Sequence, residues 1–385
     1  MTPESHLSSG SHAEANLLEA AKKASHLLEP HSLGVLHRNP LLDDECPEVS
    51  DVDLLSFWEG AEESPERITV EGPRGRVFVD ILWIPVSAML DPAEAASYKI
   101  LPHLLLESET IWMRSESIRP LIENIKLRAY EKDVWERRIG HQIGFGDAAL
   151  EEARKNLDFP PAALFFLQTA HSYYVTALAD CLKRSTMSLL TRPVMKVRSM
   201  DLETRCGLGG LLEANLHLDG EPALAALKRV HEAVSARCAD GQPRGVRGRT
   251  RGHFAYTVSP LELEYRVSVA EALMRRGDRA NSNFYIRFWA YSLSRCPVVF
   301  EESRQGRNPS FYVPFRAFKE SVQATCPEIL DDMQTILGGD LSLSQAEESI
   351  EGTAAFRRLV RDQVTERGIA VTASREGSAA AAGAD

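Results

Sequence analysis

The chain has 385 residues, of which 44% are hydrophobic, and a formal net charge of −11. That length accommodates two or three domains with substantial cores, and the acidic balance argues against a general nucleic-acid binder, which carries a basic excess. No apolar run approaches the roughly 20 residues of a membrane helix, and Met1–Gly10 lacks the charged start and apolar stretch of a secretory signal. The cysteines (Cys46, Cys181, Cys206, Cys238, Cys296 and Cys326) are scattered, with no zinc-type pairing. They read as reduced thiols of a cytoplasmic protein.

In chain order, residues 1–12 read as a disordered lead. Ala13–Leu28 reads as a helix, with Leu17, Leu18, Ala21, Ala24 and Leu28 recurring on one side and Glu29-Pro30 ending it. Ser32–His37 is a candidate strand, followed by a loop rich in acids and prolines, Asn39–Val49. Ser50–Phe57 is a second strand. Trp58–Arg67 is polar and reads as a loop or short helix. Thr69–Glu71, the Gly72-Pro73-Arg74-Gly75 turn and Arg76–Trp83 read as a hairpin. From about residue 86 the spacing is helical, with segments near 92–107, 115–138, 146–156, 160–184, 208–218, 221–239, 259–276, 279–293, 314–337 and 353–366. Pro160-Pro161 opens the clearest of these. It is apolar almost all round and belongs at the centre of a helical bundle. The tail from Thr372 is small, polar and Ala-rich, and reads as disordered. The fold class is therefore α+β, a small mixed β-sheet domain (13–112) followed by a larger all-α helical-bundle domain (113–370), with a split into sub-bundles near 240–255 and a disordered tail (371–385).

The second and fourth segments carry the chemistry. Asp51 and Asp53 are two apart in a strand, so both side chains project from one face while Val52 and Leu54 pack behind them. Asp80 lies in a second apolar run, Val77-Phe78-Val79-Asp80-Ile81-Leu82-Trp83, where an unpaired charge is costly. If the two strands are neighbours, three carboxylates converge. Such a cluster suits a hard divalent cation with oxygen ligands, Mg²⁺ above all. That cation could serve phosphoryl chemistry.

The Ser50-Asp51-Val52-Asp53-Leu54 element and the later apolar-Asp80-apolar strand resemble the nucleotidyltransferase superfamily that includes DNA polymerase β and kanamycin nucleotidyltransferase. The resemblance spans roughly residues 30–85. It implies a small mixed sheet flanked by helices, two Mg²⁺ ions, and transfer of a nucleoside monophosphate from an NTP with release of pyrophosphate. By motif position, Asp51 and Asp53 are metal ligands, and Asp80 is a third ligand or the base near the acceptor hydroxyl. The chain departs from the family where a Gly-Ser pair normally receives the triphosphate. By spacing, Asn39 and Pro40 occupy that place. Three readings stay open: a lengthened loop using Gly34, a cradle rebuilt from His37, Arg38 and Asn39, or impaired nucleotide binding. Ser50 completes the expected nucleotide contacts on this domain.

In the second domain, Glu151 and Lys155 are four apart and share a helical face. By resemblance to small-molecule nucleotidyltransferases they correspond to a base and a phosphate-binding Lys. The 160–184 helix is similar to helical domains that accompany small nucleotidyltransferases and to HEPN domains, but no Arg-x4-6-His motif supports ribonuclease activity. His171 reads as a core histidine or a substrate contact, and Tyr173 and Tyr174 point to different faces. Arg244, Arg247, Arg249 and Arg251 form a basic loop or an anion-binding flap. Arg287, Arg295, Arg304 and Arg307 read as surface groups or an anion pocket. Gly207-Leu208-Gly209-Gly210 matches neither phosphate-loop pattern. The expected partners are a nucleotide and a small-molecule acceptor, held against the helical domain, with no nucleic acid and no membrane. A homodimer is left open. A nucleotide-binding regulatory protein of the same fold is the alternative.

Overall fold

A computed structural model describes residues 4–38, 51–60, 64–73, 75–98, 101–183, 219–238, 248–306, 318–337 and 342–369. The architecture is α+β: a small mixed sheet in the N-terminal half and helices throughout the C-terminal part. The chain divides into two compact units, Met1–Trp135 and Glu136–Asp385. The boundary read from composition, 112/113, lies upstream of this division.

The first unit opens with α1 (Glu4–Leu28), which starts before the Ala13 that the spacing suggests. Among the described residues the strands are β1 (Gly34–Arg38), β2 (Val52–Trp58), β3 (Ser64–Gly72), β4 (Gly75–Pro85) and β5 (Ser108–Met113). Their order is β3-β4-β2-β1-β5. β2 and β4 run parallel, and the other neighbours are antiparallel. Leu17, Ala20, Ala21, Ala24 and Leu28 of α1 pack with Val35, Val52, Leu54, Val77, Val79 and Ile81 into one buried cluster. The small residues let the helix lie close on the sheet, and the alternation of the strands supplies the apolar face.

Two readings are corrected here. Trp58–Arg67 is not all loop or short helix, because Ser64–Arg67 belongs to β3. The hairpin extends further than Thr69–Glu71 suggests, because pairing with β4 continues to Ser64. Gly75, at φ 114, closes its turn in a region that L side chains rarely adopt. β5 was not anticipated. Its Thr110-Ile111-Trp112 core has strand propensity, yet it sits between helical segments. Helices α2 (Pro92–Ser97), α3 (Leu101–Leu106) and α4 (Ile118–Arg128) complete the unit. Asp91 caps α2 by accepting from the Ala93 and Glu94 amides.

The second unit contains most of α5 (Lys132–Lys155), then α6 (Pro160–Cys181), α7 (Gly220–Cys238), α8 (Gly248–Thr257), α9 (Pro260–Arg275), α10 (Arg279–Arg304), α11 (Phe318–Thr325), α12 (Leu330–Leu337) and α13 (Leu343–Glu366). α6 is buried along nearly its whole length and packs against α13. The interior carries paired charges. Arg138 donates to Asp180 from Nε at 2.7 Å and from Nη2 at 2.8 Å, and both side chains are wholly buried. Arg357 and Arg361 of α13 hold Asp147 of α5, which also accepts from the Tyr174 hydroxyl. Cys181, Cys238, Cys296 and Cys326 are buried free thiols. The segment 208–218, the Gly207–Gly210 turn and the 371–385 tail lie outside the described residues.

Candidate functional site

The sheet register builds the site. Arg38 of β1 is paired with Asp53 of β2, Asp53 with Asp80 of β4, and Asp80 with Arg67 of β3. Paired residues on neighbouring strands project to the same face, so four charged side chains form one row across four strands. Asp51 precedes Asp53 by two residues and joins that face. One oxygen from each of Asp51, Asp53 and Asp80 lies within 4.8 Å of the others. The opposite face at the same level carries Val52, Leu54, Val79 and Ile81, which are buried against α1. Alternation thus puts apolar residues in the core and acids on the working face.

The row reads plus, minus, minus, plus. Arg67 donates from Nη1 to Asp51 Oδ2 at 2.8 Å and from Nη2 to Asp80 Oδ2 at 3.3 Å. Arg38 donates from Nη1 to Asp53 Oδ2 at 3.1 Å and from Nε to Glu107 Oε2 at 3.0 Å. The cations are the deeper groups. The Arg67 and Arg38 side chains are 3% and 4% exposed, against 16%, 28% and 29% for Asp51, Asp53 and Asp80. The carboxylates therefore face outward over a guanidinium floor. Asp51, Asp53, Asp80 and Glu107 thus share the guanidiniums of Arg38 and Arg67.

Asp53 is the carboxylate whose titration this setting shifts. Burial and then the neighbouring Asp51 charge push its carboxyl up to about 6, against the opposing pull of Arg38 and Arg67. The donor set fits Mg²⁺: hard carboxylate oxygens, three of them close together, with an outward opening. Opposed ligands at about 2.1 Å from Mg²⁺ stand about 4.2 Å apart, so oxygens within 4.8 Å of one another need only small shifts.

The other expected site residues are placed as follows. Arg38 is committed to Asp53 and Glu107. Gly34 lies at the far end of β1, paired with Phe57 and Met113, where a Cβ would collide with the Met113 sulfur. Its missing side chain serves strand packing. His37 is adjacent to Arg38 in β1 and so projects to the opposite face. It is buried, and burial followed by the Arg38 charge lowers its imidazole to about 4. Asn39 and Ser50 lie outside the described residues.

Lys155 ends α5 in the second unit and is ion-paired with Glu152 at 2.7 Å, while Glu151 pairs with Arg154. Glu151 and Lys155, read as a base and a phosphate-binding Lys, are thus each engaged in an i,i+3 pair within the helix. His171 Nε2 lies 2.8 Å from the Thr353 hydroxyl, which itself donates to the Ser349 carbonyl. Nε2 must therefore carry the proton. The ring stacks on Phe356, and burial lowers it to about 3, as for a core histidine. Tyr173 stacks on Phe145. Arg287 is buried and donates to the Ile336 carbonyl, Arg295 is buried near Tyr291, and Arg304 pairs with Glu301 on the surface. Arg244, Arg247 and Arg307 lie outside the described residues, and Arg249 and Arg251 fall in α8.

Sequence reasoning missed Arg67 and Glu107. The turn contained a signal for Arg67. Counting five residues back from Gly72 and five on from Gly75 pairs Arg67 with Asp80. Glu107 follows α3 directly before β5, so it could not be placed without that strand.

No protein-family model matches the chain, and no curated protein matches it. Among solved structures, the chain is similar to a nucleotidyltransferase-like protein from Exiguobacterium sibiricum 255-15 at 9% identity, with 91% of this chain and 77% of that one covered. The TM-score is 0.22. At that value the likeness carries no argument, and the functional reading rests on the residues of the sheet. Among the described residues, no helix is long and apolar enough to cross a membrane.

Proposed function

We propose that the N-terminal unit is a divalent-metal-dependent nucleotidyltransferase centre, which transfers an NMP from an NTP to a hydroxyl of a small-molecule acceptor and releases pyrophosphate. The observation that carries this reading is the register that brings Asp51, Asp53 and Asp80 to one face with oxygens inside 4.8 Å of each other. Asp51, Asp53 and Asp80 would hold the ion. Magnesium bound there would neutralise phosphate charge and favour attack on phosphorus. Arg38 and Arg67 fix the carboxylates from beneath, so the acids need not reorganise during the reaction. Asp80 orients the acceptor hydroxyl or takes its proton as the new P–O bond forms and the bond to the leaving pyrophosphate breaks. The acidic chain, at −11, suits a small acceptor better than a nucleic acid. Free thiols and the sequence pattern suit a cytoplasmic setting.

The test is incubation of the full chain with Mg²⁺ and each labelled NTP across an acceptor panel. Pyrophosphate release that Asp51→Asn abolishes supports the reading, and an unchanged rate in that variant removes it. A second reading draws on the Arg67 bonds to Asp51 and Asp80: with a guanidinium already among the acids, the unit could bind nucleotide as a regulator without turnover. Nucleotide binding with no pyrophosphate release would select that reading.

A further inference from the structure

We propose that Arg357 and Arg361 form a phosphate-binding site on the second unit. The site draws on that unit alone and does not depend on the metal reading above. The two arginines are one turn apart on α13, so their side chains leave the same face of the helix. Both reach Asp147 of α5. Arg357 donates from Nε to Oδ1 at 2.6 Å and from Nη2 to Oδ2 at 2.8 Å. Arg361 donates from Nη2 to Oδ2 at 2.8 Å, and Tyr174, buried in α6, donates from its hydroxyl to Oδ1 at 2.8 Å. Each carboxylate oxygen thus accepts two hydrogen bonds, which fills the lone-pair sites of the group. Asp147 has no acceptor left for either guanidinium.

Two observations point from this clasp to a ligand. Arg361 Nε, part of a charged group, is buried without an acceptor among the described residues, which is costly unless an oxygen reaches it. The Arg357 and Arg361 side chains are nonetheless 37% and 32% exposed, so the pair is reachable from outside. The Nη1 group of each arginine takes no part in the clasp. A phosphate carries enough oxygens to serve Arg361 Nε and both Nη1 groups together, and guanidinium forks suit such oxygens. Asp147 and Tyr174 fix the arginines beforehand, so binding need not order them. Glu151 is the further acid whose charge acts on Arg357, and it is itself paired with Arg154.

The experiment is a calorimetric titration of the full chain with inorganic phosphate at fixed ionic strength, without divalent metal or nucleotide. Wild type, R361Q, R361K and R358Q are compared, and each is checked for fold by circular dichroism. Wild type should bind one phosphate per chain. R361Q should weaken that binding by about tenfold or more. R361K, which keeps the charge but loses the fork, should weaken it by less. Arg358 is exposed and takes no part in the clasp, so R358Q should bind as wild type does. Glycerol phosphate, titrated in parallel, identifies the source: tighter binding than inorganic phosphate assigns the site to a phosphate ester, and weaker binding assigns it to the free ion. No saturable binding by wild type overturns the proposal, and so does unchanged binding in a folded R361Q. A loss in R358Q equal to that in R361Q overturns it as a general effect of charge. Acetate that competes equally with phosphate overturns the phosphate assignment. Where R361Q does not fold, an R361K affinity equal to that of wild type overturns the proposal.

Discussion

Replacing Asp53 with asparagine separates what this carboxylate costs the fold from what it supplies to the site. Its pKa rises from 3.8 to about 6, first through burial and then through Asp51. About two units at ~1.36 kcal/mol each make the charged form roughly 3 kcal/mol less favourable in the native state than in the unfolded chain. The sign follows from proton counting. Between pH 3.8 and about 6 the native state binds more protons at this position, so stability falls as pH rises through that window and stays reduced above it. Asparagine mimics the protonated form and removes the slope. Arg38 then loses the Asp53 carboxylate, which offsets part of the gain, so the net stabilisation above pH ~6 is about 1 kcal/mol. Urea unfolding of wild type and D53N, in chelator across pH 4.5 to 8, reads both effects. D53N should show a flatter profile and a higher midpoint on the alkaline side. Mg²⁺ should stabilise wild type and leave D53N unchanged. Parallel pH profiles for the two proteins would refute the assignment of Asp53 as the strained carboxylate.

Asp51→Asn removes one of the three clustered carboxylates and the charge that, after burial, raises Asp53. Metal-dependent NTP binding should therefore be lost with the fold intact, as measured by equilibrium dialysis and circular dichroism. Arg138→Met leaves Asp180 buried without its bidentate partner and should destabilise the second unit by about 3–5 kcal/mol in urea. The double change Arg138→Met with Asp180→Leu should recover most of that loss. His171 is held neutral, with its pKa lowered to about 3 from 6.5, so the unfolded chain gains a proton first as pH falls below 6.5. The second unit should lose about 2–3 kcal/mol by pH ~4.5, and His171→Leu should flatten that loss. Gly34→Ala meets only the flexible end of the Met113 side chain, which can swing aside, so urea unfolding should show a cost below about 1 kcal/mol.

The strands that bear the acids were legible because each combines a strong apolar alternation with a local punctuation mark. Val52, Leu54, Val79 and Ile81 announce the buried face, and the acids fall on the other by parity alone. That β2 and β4 are neighbours was not legible. It depends on β3 lying outside β4 rather than between the two, a non-local choice that no residue in either strand encodes by itself. Arg67 was hidden because Ser64-Pro65-Glu66-Arg67 looks polar and proline-broken. An edge strand tolerates Pro65 and exposed charge where an inner one would not. β5 was hidden by the helical spacing around it. The helical half was legible in kind but not in its ends: α5 runs unbroken from Lys132 to Lys155 across two separate helix-like segments.

The deeper arginines explain how such a sequence can fold before any ion arrives. Three aspartates on adjacent strand positions repel one another, and a row built of acids alone would oppose the β2–β4 pairing that creates it. Arg67 from the outer strand and Arg38 from the inner one bracket that pair, so the ladder closes with a cation on the outer side of each acid. Both guanidiniums lie deeper than the acids they hold, so the arginines that permit the sheet leave Asp51, Asp53 and Asp80 on its outward side.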